Sequence, residues 1–473
     1  MKQIRTRFAV SPTGFMHLGG VRTAYFSWLV AQKGGVFILR IEDTDKAREV
    51  EGAVDAIKES LKWLGLEWDE GPDGKGEFGP YTQSEKLEVY KKYALQLYEK
   101  GLAYADPYTP EQVQEFREQA NSTKTPFLYR NHRPENPPEW DGTMPLRLKI
   151  TDVKQSQWHD IVRGDLSAGP EVLDDIVLIK SDGYPTYNFA HIVDDYDMKI
   201  THVLRGEEFI ASMPNYIAIY EAFGWEPPIY ATLPPVLNKN GGKKLSKRDG
   251  AEPVLWYKEQ GYLVEAVLNF LASLGWNDGT EKEIWQPKEI VEAFSLERVQ
   301  KSGAKFDDER LNYLNGVHIR NKSLEDLFEL AKPFFPENSS QKDDEYNRSV
   351  LSLIHERLKR LNEIPQLTSF FYSRPPVPKE IISKKYQPDE IINYLSKALE
   401  QLKESDFSHD DLESRLRTLA EDLDIGAGKL FRLIRMSATG SEVAPGLFET
   451  LNVLGKTETI ERLNGTIKSF ATS

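Results

Sequence analysis

The sequence contains no cysteine, so disulfide bonds and thiolate chemistry are excluded, and a metal would need histidine or carboxylate ligands. It also has no uninterrupted apolar stretch of membrane-spanning length, and its start, MKQIRTRFAV, lacks the apolar core of a signal peptide. We therefore expect a cytoplasmic protein with no membrane partner.

Positive charge is scarce as well. Lysine and arginine number 60 against 74 aspartates and glutamates, for a net charge of -14. A nonspecific nucleic-acid binder is expected to be basic, although an acidic protein can still bind RNA through a basic face. The length of 473 residues, 40% of them hydrophobic, indicates a globular chain of two to four domains.

The first forty residues have the pattern of a β-α-β unit. The segment IRTRFAV predicts a buried strand, SPTG a turn and VFILRIED a second strand. A helix is predicted between them from Gly19, because its apolar residues recur at helical spacing until Gly34 and Gly35 end it. Two strands joined in this way favour a parallel sheet.

The pattern changes twice further along the chain. Helices are predicted at about 50–64 and 84–100, and another begins at Pro110 with Thr109 as its cap. From about Ala105 to Lys180, proline clusters and short strands indicate an inserted α+β module, after which THVLRGEEF and IYATLPPVLN return to parallel strands. From about Val254 the pattern is almost wholly helical. Polar connectors are predicted at 336–349 and 372–380, the second being the better domain boundary.

The turn after the first strand is a candidate anion site. It should lie at the carboxyl edge of the sheet, where ligands bind in open α/β folds. Its glycines let the backbone approach a ligand, and His17 at the helix entrance could donate to a phosphate oxygen. An ordinary turn beside a surface histidine gives the same pattern.

A second candidate is the segment NKNGGKKLSKRDG, from Asn238 to Gly250. It places Lys243, Lys244, Lys247 and Arg248 around Ser246 in a glycine-rich loop. Such charge density suits a phosphate on which negative charge grows during transfer. A solvated basic loop or a nucleic-acid patch is the alternative.

Together these stretches resemble the paired signatures of class I aminoacyl-tRNA synthetases. HLGG resembles H-I-G-H with its last histidine replaced, and KLSKR resembles K-M-S-K-S. The order and spacing of six segments is similar to that in the bacterial glutamyl-tRNA synthetase family: RFAVSPTGFMHLGGVRTAYF, LRIEDTD, YPTYNFAHIVDD, VLRGEE, KLSKRDG and KFDDERLNYLN. The resemblance covers essentially the whole chain.

The resemblance implies a two-step reaction and a set of residues. The α-carboxylate of L-glutamate attacks the α-phosphate of ATP, and the glutamyl group then moves to the 3′ end of tRNA(Glu). The residues implied to be catalytic are His17, Lys244, Lys247 and Arg248. Those implied to bind ATP are Gly14, His17, Gly19, Lys244, Ser246 and Lys247. Those implied to bind glutamate are Arg7, Ser11, Glu42, Tyr187, His191 and Arg205.

Arginine suits the side-chain carboxylate of glutamate because its guanidinium is fork-shaped, and Glu42 suits the ammonium. For Arg7 and Arg205, structural ion pairs with IEDTD or GEE are the alternative.

Magnesium is expected with ATP. Zinc is not expected, because Asp106 and Tyr108 stand where many relatives carry Cys-x-Cys, and FLYRNHR also lacks a cysteine. Val10 replaces the usual proline of A-P-S-P-T-G.

The fold class implied is α/β: a Rossmann-like parallel-sheet catalytic domain with an α+β insertion, followed by all-α anticodon-binding domains. Its parts are the first catalytic half at 1–104, an acceptor-stem-binding insertion at 105–186, the second catalytic half with the KLSKR loop at 187–253, a helical stem-contact domain at 254–322, and anticodon-binding subdomains at 323–374 and 375–473.

Anticodon contacts are implied for Arg435 and, more weakly, Arg357. In GKLFRLIR, Lys429, Arg432 and Arg435 lie on one arc of a helix and the apolar residues on another. A solvated helix face has the same pattern, so that alternative stays open.

Four other functions are alternatives. Glutaminyl-tRNA synthetases end in β-barrels, and a shorter relative that glutamylates a modified tRNA base lacks the helical C-terminal part. A non-catalytic RNA-binding paralogue should have lost one signature, and a nucleotidyltransferase should lack the C-terminal extension. The sequence leaves open whether tRNA(Gln) is also charged. A monomer is the habit of the family.

Overall fold

The structure is a computed structural model that describes residues 3–245 and 252–471. Contacts divide the chain into two compact units, Met1–Lys258 with Val264–Leu311, and Glu259–Leu263 with Asn312–Ser473. Ser246, Lys247 and Arg248 lie outside the described residues. The boundary predicted between 374 and 375 falls inside the second unit, and the finer domain limits stay predictions.

The described strands belong to three sheets. In chain order they are β1 Arg5–Val10, β2 Val36–Ile41, β3 Ala103–Ala105, β4 Leu146–Leu148, β5 Ser156–Asp160, β6 Gly164–Ala168, β7 Val177–Ile179, β8 His202–Gly206, β9 Ile229–Leu233, β10 Val236–Leu237 and β11 Ala304–Lys305. The central sheet has the order β2-β1-β8-β9-β5-β6, and the smaller ones are β3-β4-β7 and β10-β11. Four neighbouring pairs of the central sheet are parallel, and the pair β5–β6 is antiparallel. This confirms the predicted parallel sheet.

The range 105–186 is not wholly separate from that sheet. Its strands β4 and β7 form the small antiparallel sheet with β3. Its hairpin β5–β6, however, extends the central sheet next to β9, where the buried Asp160 accepts hydrogen bonds from the amide and hydroxyl of Thr232 at 2.8 and 2.6 Å. The sequence pattern places these residues in the inserted module with the rest of the stretch 105–180, because of its proline clusters and short strands. It gives no sign of β9 as a partner, since Asp160 and Thr232 are 72 positions apart.

The helices of the first unit follow the predicted alternation. They are α1 Leu18–Ala31, α2 Ala53–Trp63, α3 Leu87–Glu99, α4 Pro110–Ser122, α5 Tyr187–Asp197, α6 Met213–Phe223, α7 Val254–Glu259, α8 Val264–Ser273 and α9 Pro287–Ala293. The predicted cap of α4 is confirmed, because the hydroxyl of Thr109 accepts from the amide of Gln112 in a capping box. Helix α1 begins at Leu18, one residue before the predicted start.

The remaining helices lie after residue 307. They are α10 Asp308–Arg320, α11 Leu324–Ala331, α12 Asp344–Ile354, α13 Ile364–Tyr372, α14 Lys379–Ser383, α15 Pro388–Glu404, α16 His409–Asp422, α17 Ala427–Thr439, α18 Leu447–Leu454 and α19 Lys456–Ala471. One apolar core, from Val350 to Phe470, joins α12 to α19. The connector predicted at 336–349 is partly wrong: Asp343 caps α12 by accepting from the amide of Tyr346, so the helix begins at Asp344.

Candidate active site

A cavity of about 480 Å³ opens at the carboxyl ends of β1 and β8. Six of the residues named from the sequence line it: Arg7, Ser11, Gly14, His17, Tyr187 and Arg205. Glu208, the last residue of VLRGEE, and Phe209, which follows it, line the cavity as well, although the sequence gave neither a ligand role. Parallel-sheet topology explains this convergence, because the turns after neighbouring parallel strands meet at one edge.

His17 occupies the N-cap of α1. Its Nδ1 accepts a hydrogen bond from the amide of Gly20 at 3.3 Å, so a neutral imidazole carries its proton on Nε2. A Cβ on Gly19 would lie 3.1 Å from the His17 ring, so a glycine there lets the ring pack over the helix start. Gly14 has a φ of 151°, which a residue with a side chain rarely adopts. The local sequence thus fixes a histidine at a helix N-terminus, which is a favourable place for an anion.

Arg205, on β8, is a buried cation whose guanidinium is only partly bonded. Its Nη2 donates to the hydroxyl of Tyr187 at 2.9 Å, while Nε and Nη1 are buried with no hydrogen-bond partner. The guanidinium carbon lies 4.1 Å from the ring centre of Phe209 and 5.0 Å from that of Tyr216. Within the described parts of the chain Arg205 makes no ion pair, so the predicted alternative of pairing with GEE is not what the structure shows.

Arg7 does form an ion pair. Its Nε donates to Oδ1 of Asp195 at 3.0 Å, and its Nη1 donates to the Leu204 carbonyl at 3.4 Å. The partner belongs to α5 and to neither IEDTD nor GEE. Arg7 also lines the cavity, so its ion pair with Asp195 leaves it at the cavity wall.

Tyr187 and His191 stand one turn apart on α5. The imidazole Nδ1 of His191 lies 2.8 Å from the Tyr187 carbonyl, and the two rings stack with centres 4.8 Å apart. Burial, and then the positive charge of Arg205, lower the pKa of His191 well below its ordinary value, so the ring is neutral at pH 7. His191 is buried behind Tyr187, which itself lines the cavity.

Glu42, just beyond β2, lies in a second layer behind the cavity. Its Oε1 accepts from Arg40 Nη2 at 2.9 Å and from Arg40 Nε at 3.3 Å. Burial raises the pKa of Glu42, although the positive charges of Arg40 and Arg7 lower it in part. Burial raises the pKa of Tyr187, and the negative charge of Glu42 raises it further.

Three further buried charges complete this layer, and the sequence motifs gave none of them a role. They are Arg40, Asp194 and Asp195. Asp195 Oδ1 accepts from Arg40 Nη1 at 2.7 Å, and Asp194 Oδ1 accepts from Lys86 Nζ at 2.8 Å. The adjacent acids in HIVDD were the available signal, because two successive carboxylates directly after the apolar Ile192 and Val193 need buried cations.

Lys244 lies at the rim. Its Nζ donates to Glu208 Oε1 at 2.8 Å, with both side chains at least half exposed, and Glu208 lines the cavity. Its ion pair with Glu208 therefore holds Lys244 beside the cavity. The other KLSKR residues predicted for phosphate binding, Ser246, Lys247 and Arg248, fall in the part that is not described.

The inserted module holds Asp106 in a set of polar contacts. Its Oδ2 accepts from Arg147 Nε at 2.6 Å, its Oδ1 accepts from the hydroxyl of Tyr129, and the Arg147 guanidinium lies 3.3 Å from the Tyr129 ring centre. Both oxygens of this carboxylate therefore have donors. In residues 3–245 and 252–471, no three His, Asp or Glu side chains group as a metal site. The absence of zinc stays a prediction.

Arg435 and Arg357, the predicted anticodon residues, belong to the second unit. Arg435 on α17 is half-buried rather than fully surface-facing, and its Nε is buried with no hydrogen-bond partner. Arg357 is exposed and its Nη1 donates to the Ala444 carbonyl at 2.9 Å. Lys429, placed on the same arc as Arg435, is bound to Glu390 at 2.7 Å, whereas Arg432 is exposed.

No helix among the described residues is both long enough and apolar enough to cross a membrane.

Two family profiles match the chain. Residues 3–313 match the catalytic domain of class I tRNA synthetases (E and Q), and residues 326–467 match an anticodon binding domain.

Curated relatives match over almost the full length. A glutamate–tRNA ligase of Dehalococcoides mccartyi is 42% identical over 98% of this chain and 97% of its own. That of Chloroflexus aurantiacus is 41% identical over 99% of this chain and 98% of its own. The crystal structure of a glutamate tRNA ligase from Elizabethkingia meningosepticum, in complex with its amino acid, superposes with a TM-score of 0.91 at 34% identity, covering 99% of this chain and 100% of that one.

Proposed function

The chain belongs to the glutamate–tRNA ligase family of class I aminoacyl-tRNA synthetases, and we propose that the cavity at β1 and β8 is its amino-acid and ATP site. In this family L-glutamate is activated with ATP and transferred to tRNA. We assign glutamate binding to the residues around Arg205 and ATP binding to those around His17.

The side-chain carboxylate of glutamate binds Arg205 with help from Arg7. The observation that carries this assignment is the pair of buried guanidinium nitrogens on Arg205 that have no partner. Buried donors without acceptors are costly, so the site favours a ligand that brings acceptor oxygens. Charge supports the same conclusion: Arg7, Arg40 and Lys86 are matched by Glu42, Asp194 and Asp195, which leaves Arg205 as an excess cation.

The remaining groups of glutamate have matching partners as well. The Tyr187 hydroxyl accepts from Arg205 and keeps its fork in place at the cavity wall. Glu42 supplies the negative charge for the ammonium, and His191 supports Tyr187 from behind as a neutral ring. Ser11 is exposed in the turn and offers a hydroxyl to the α-carboxylate.

ATP binds along the turn and the start of α1. His17 donates from Nε2 to a phosphate oxygen, and Gly14 and Gly19 allow the close backbone approach. Lys244, with Ser246, Lys247 and Arg248, neutralises the charge that grows on the α-phosphate, and Mg²⁺ accompanies ATP. The carboxylate nucleophile is already ionised, so this step needs positioning and electrostatics but no general base.

The second unit binds tRNA(Glu). All described elements from α11 onward are helical, which supports an anticodon role of the kind that the family profile carries and disfavours the β-barrel ending of glutaminyl-tRNA synthetases. Arg435 and Arg357 are the proposed contacts. A monomeric state and a cytoplasmic location stay predictions from the sequence.

The test is ATP–pyrophosphate exchange in the presence of purified tRNA(Glu). We expect exchange with glutamate and far less with glutamine, because a neutral amide would place N–H donors against Arg205. Parallel reactions without tRNA, with aspartate and after chelation of zinc serve as controls. Equal exchange with glutamine, or none with glutamate, would remove the proposal.

A further inference from the structure

Two arginines face the same side of the central sheet from neighbouring strands. Arg7 lies on β1 and Arg40 on β2, and the parallel register pairs Arg7 with Ile38 and Ala9 with Arg40. Because residues two apart in a strand share a face, Arg40 is the diagonal neighbour of Arg7. Two guanidinium groups this close repel each other unless an anion lies between them.

Asp195 is that anion. Its Oδ1 accepts from Arg7 Nε at 3.0 Å and from Arg40 Nη1 at 2.7 Å. On its other edge Arg40 donates through Nη2 to Glu42 at 2.9 Å. The four side chains therefore form a continuous hydrogen-bonded chain, Arg7–Asp195–Arg40–Glu42. It runs from Arg7 at the cavity wall to Glu42 behind it, the two groups proposed to face opposite charges of glutamate.

The middle of this sequence is sealed from solvent. The side chain of Arg40 is 0% exposed and that of Asp195 is 2% exposed, so Arg40 acts on a substrate only through the groups it holds. Asp194, the neighbour of Asp195 on α5, anchors that helix. Its carboxylate accepts hydrogen bonds from Lys86, from Tyr90 and, at 2.8 Å, from Gln83. It also lies 3.7 Å from Arg40 Nε. These contacts leave α5 little freedom to shift.

Arg40 acts on the pKa of both acids, but burial outweighs it only at Glu42. Burial alone would raise the pKa of Asp195, but Arg7 and Arg40 hold that pKa below its ordinary value. For Glu42 burial prevails and raises the pKa, with Arg40 as the largest opposing influence. Arg40 thus orients Glu42 and opposes the effect of burial on its pKa.

From this geometry we propose that Arg40 and Asp195 are a positioning pair for amino-acid recognition, which aligns Arg7 and Glu42 as one rigid unit. The inference rests on the proposed function, since it takes Arg7 and Glu42 as glutamate ligands. It adds that the two ends of glutamate are not recognised independently, because one buried arginine sets the spacing between their partners.

Two conservative variants test the pair. Asp195→Asn keeps the shape and removes the charge between the arginines, while Arg40→Lys keeps the charge and removes the planar fork that bridges Asp195 and Glu42. Because displaced substrate contacts cost on the order of 10- to 100-fold, we expect each variant to raise the KM for glutamate by roughly that factor. The KM for ATP should change little, since neither residue contacts the turn that holds His17.

The matched control is Glu70→Gln. Glu70 accepts from Arg5 Nη2 at 2.9 Å, and Arg5 lies on the same strand as Arg7. This pair is also buried, with side chains 9% and 11% exposed. It has no bonds to Asp195 or Glu42 among the described residues, so its loss should lower the melting temperature without changing the KM for glutamate selectively.

The outcomes separate clearly. A selective rise in the KM for glutamate in both variants, with a melting transition retained, supports the positioning role. Unchanged KM values, equal rises for glutamate and ATP, or the same selective rise in Glu70→Gln would overturn it. If neither variant folds, the pair serves the fold and the proposal is again wrong. If the wild-type protein itself shows no glutamate-dependent exchange, the proposed function is wrong. The same assays therefore distinguish failure of the proposed function from failure of the positioning pair.

Discussion

Replacement of Arg205 by alanine is the most informative single perturbation of the proposed glutamate site. The side chain is buried, its Nη2 is bound to Tyr187, and its Nε and Nη1 have no partner. If those two nitrogens receive the substrate carboxylate, Arg205→Ala leaves that carboxylate in the cavity without its cation. Truncating one partner of a buried charge pair costs about 2 to 5 kcal/mol.

That range converts to a rise in the KM for glutamate of roughly 30- to 4,000-fold, at about 1.4 kcal/mol per tenfold. The KM for ATP should stay near the wild-type value. Folding should also survive, because in the described structure no carboxylate depends on Arg205 and none is left unpaired by its removal. Arg205→Lys should recover only part of the loss, since an ammonium lacks the fork geometry.

The assay is tRNA-dependent ATP–pyrophosphate exchange with glutamate and ATP varied separately, together with a melting curve for each variant. Arg48→Ala is the control, because Arg48 is 71% exposed and lies 3.9 Å from its nearest carboxylate, that of Asp45. Tyr187→Phe is a graded companion: it removes only the hydroxyl acceptor and should cost about 1 kcal/mol. The reasoning would be refuted if Arg205→Ala raised both KM values equally or left the KM for glutamate unchanged.

Three further predictions concern other parts of the chain. The pKa of His191 lies well below 6.5 in the folded protein, so as the pH falls below 6.5 this histidine is protonated in the unfolded state before it is protonated in the folded one. The free energy of unfolding therefore falls by about 1.4 kcal/mol per pH unit in that range. The melting temperature of His191→Asn should depend less on acid pH than that of the wild type, and an identical dependence would contradict the shift. Lys247→Ala should slow adenylate formation roughly 10²- to 10³-fold in single-turnover kinetics, and an unchanged rate would reject its role. Arg435→Ala should weaken charging by about 1 to 3 kcal/mol, and less on tRNA altered at the base it reads; strictly additive penalties would mean that it does not touch that base.

Local chemistry explains which parts of the fold could be predicted. The β1–α1–β2 unit could be predicted because its strand, turn, apolar helix face and terminating glycines follow one another in the sequence. The cap at Thr109 likewise depends only on the adjacent residues. The hairpin β5–β6 could not be placed in this way, since its attachment to β9 depends on Asp160 meeting Thr232. A pattern within one segment carries no information about which distant strand edge remains open.

The same limit applies to the site. The resemblance to the family motifs implied Arg7, Tyr187 and Arg205, and the structure brings all three to one cavity. It could not reveal that Arg7 has Asp195 as its partner, 188 positions away, or that Arg40 lies between Asp195 and Glu42. The motifs contain both the side chains that line the cavity and the buried charges Arg40 and Asp195, but the contacts between these charges join separate segments and form only after folding.

The arginines of the central sheet show how burial is reconciled with binding. Arg5 is matched to Glu70, and Arg40 is matched to Glu42 and Asp195, so neither has charge to offer a ligand. Arg7 shares Asp195 with Arg40, and Arg205 has only a hydroxyl and two aromatic rings among its described contacts. Aromatic faces stabilise a cation without supplying an oxygen acceptor, which lets Arg205 stay buried and charged while its donors remain unmatched. In the proposed glutamate site, a substrate carboxylate would supply the negative charge that the described partners of Arg205 do not.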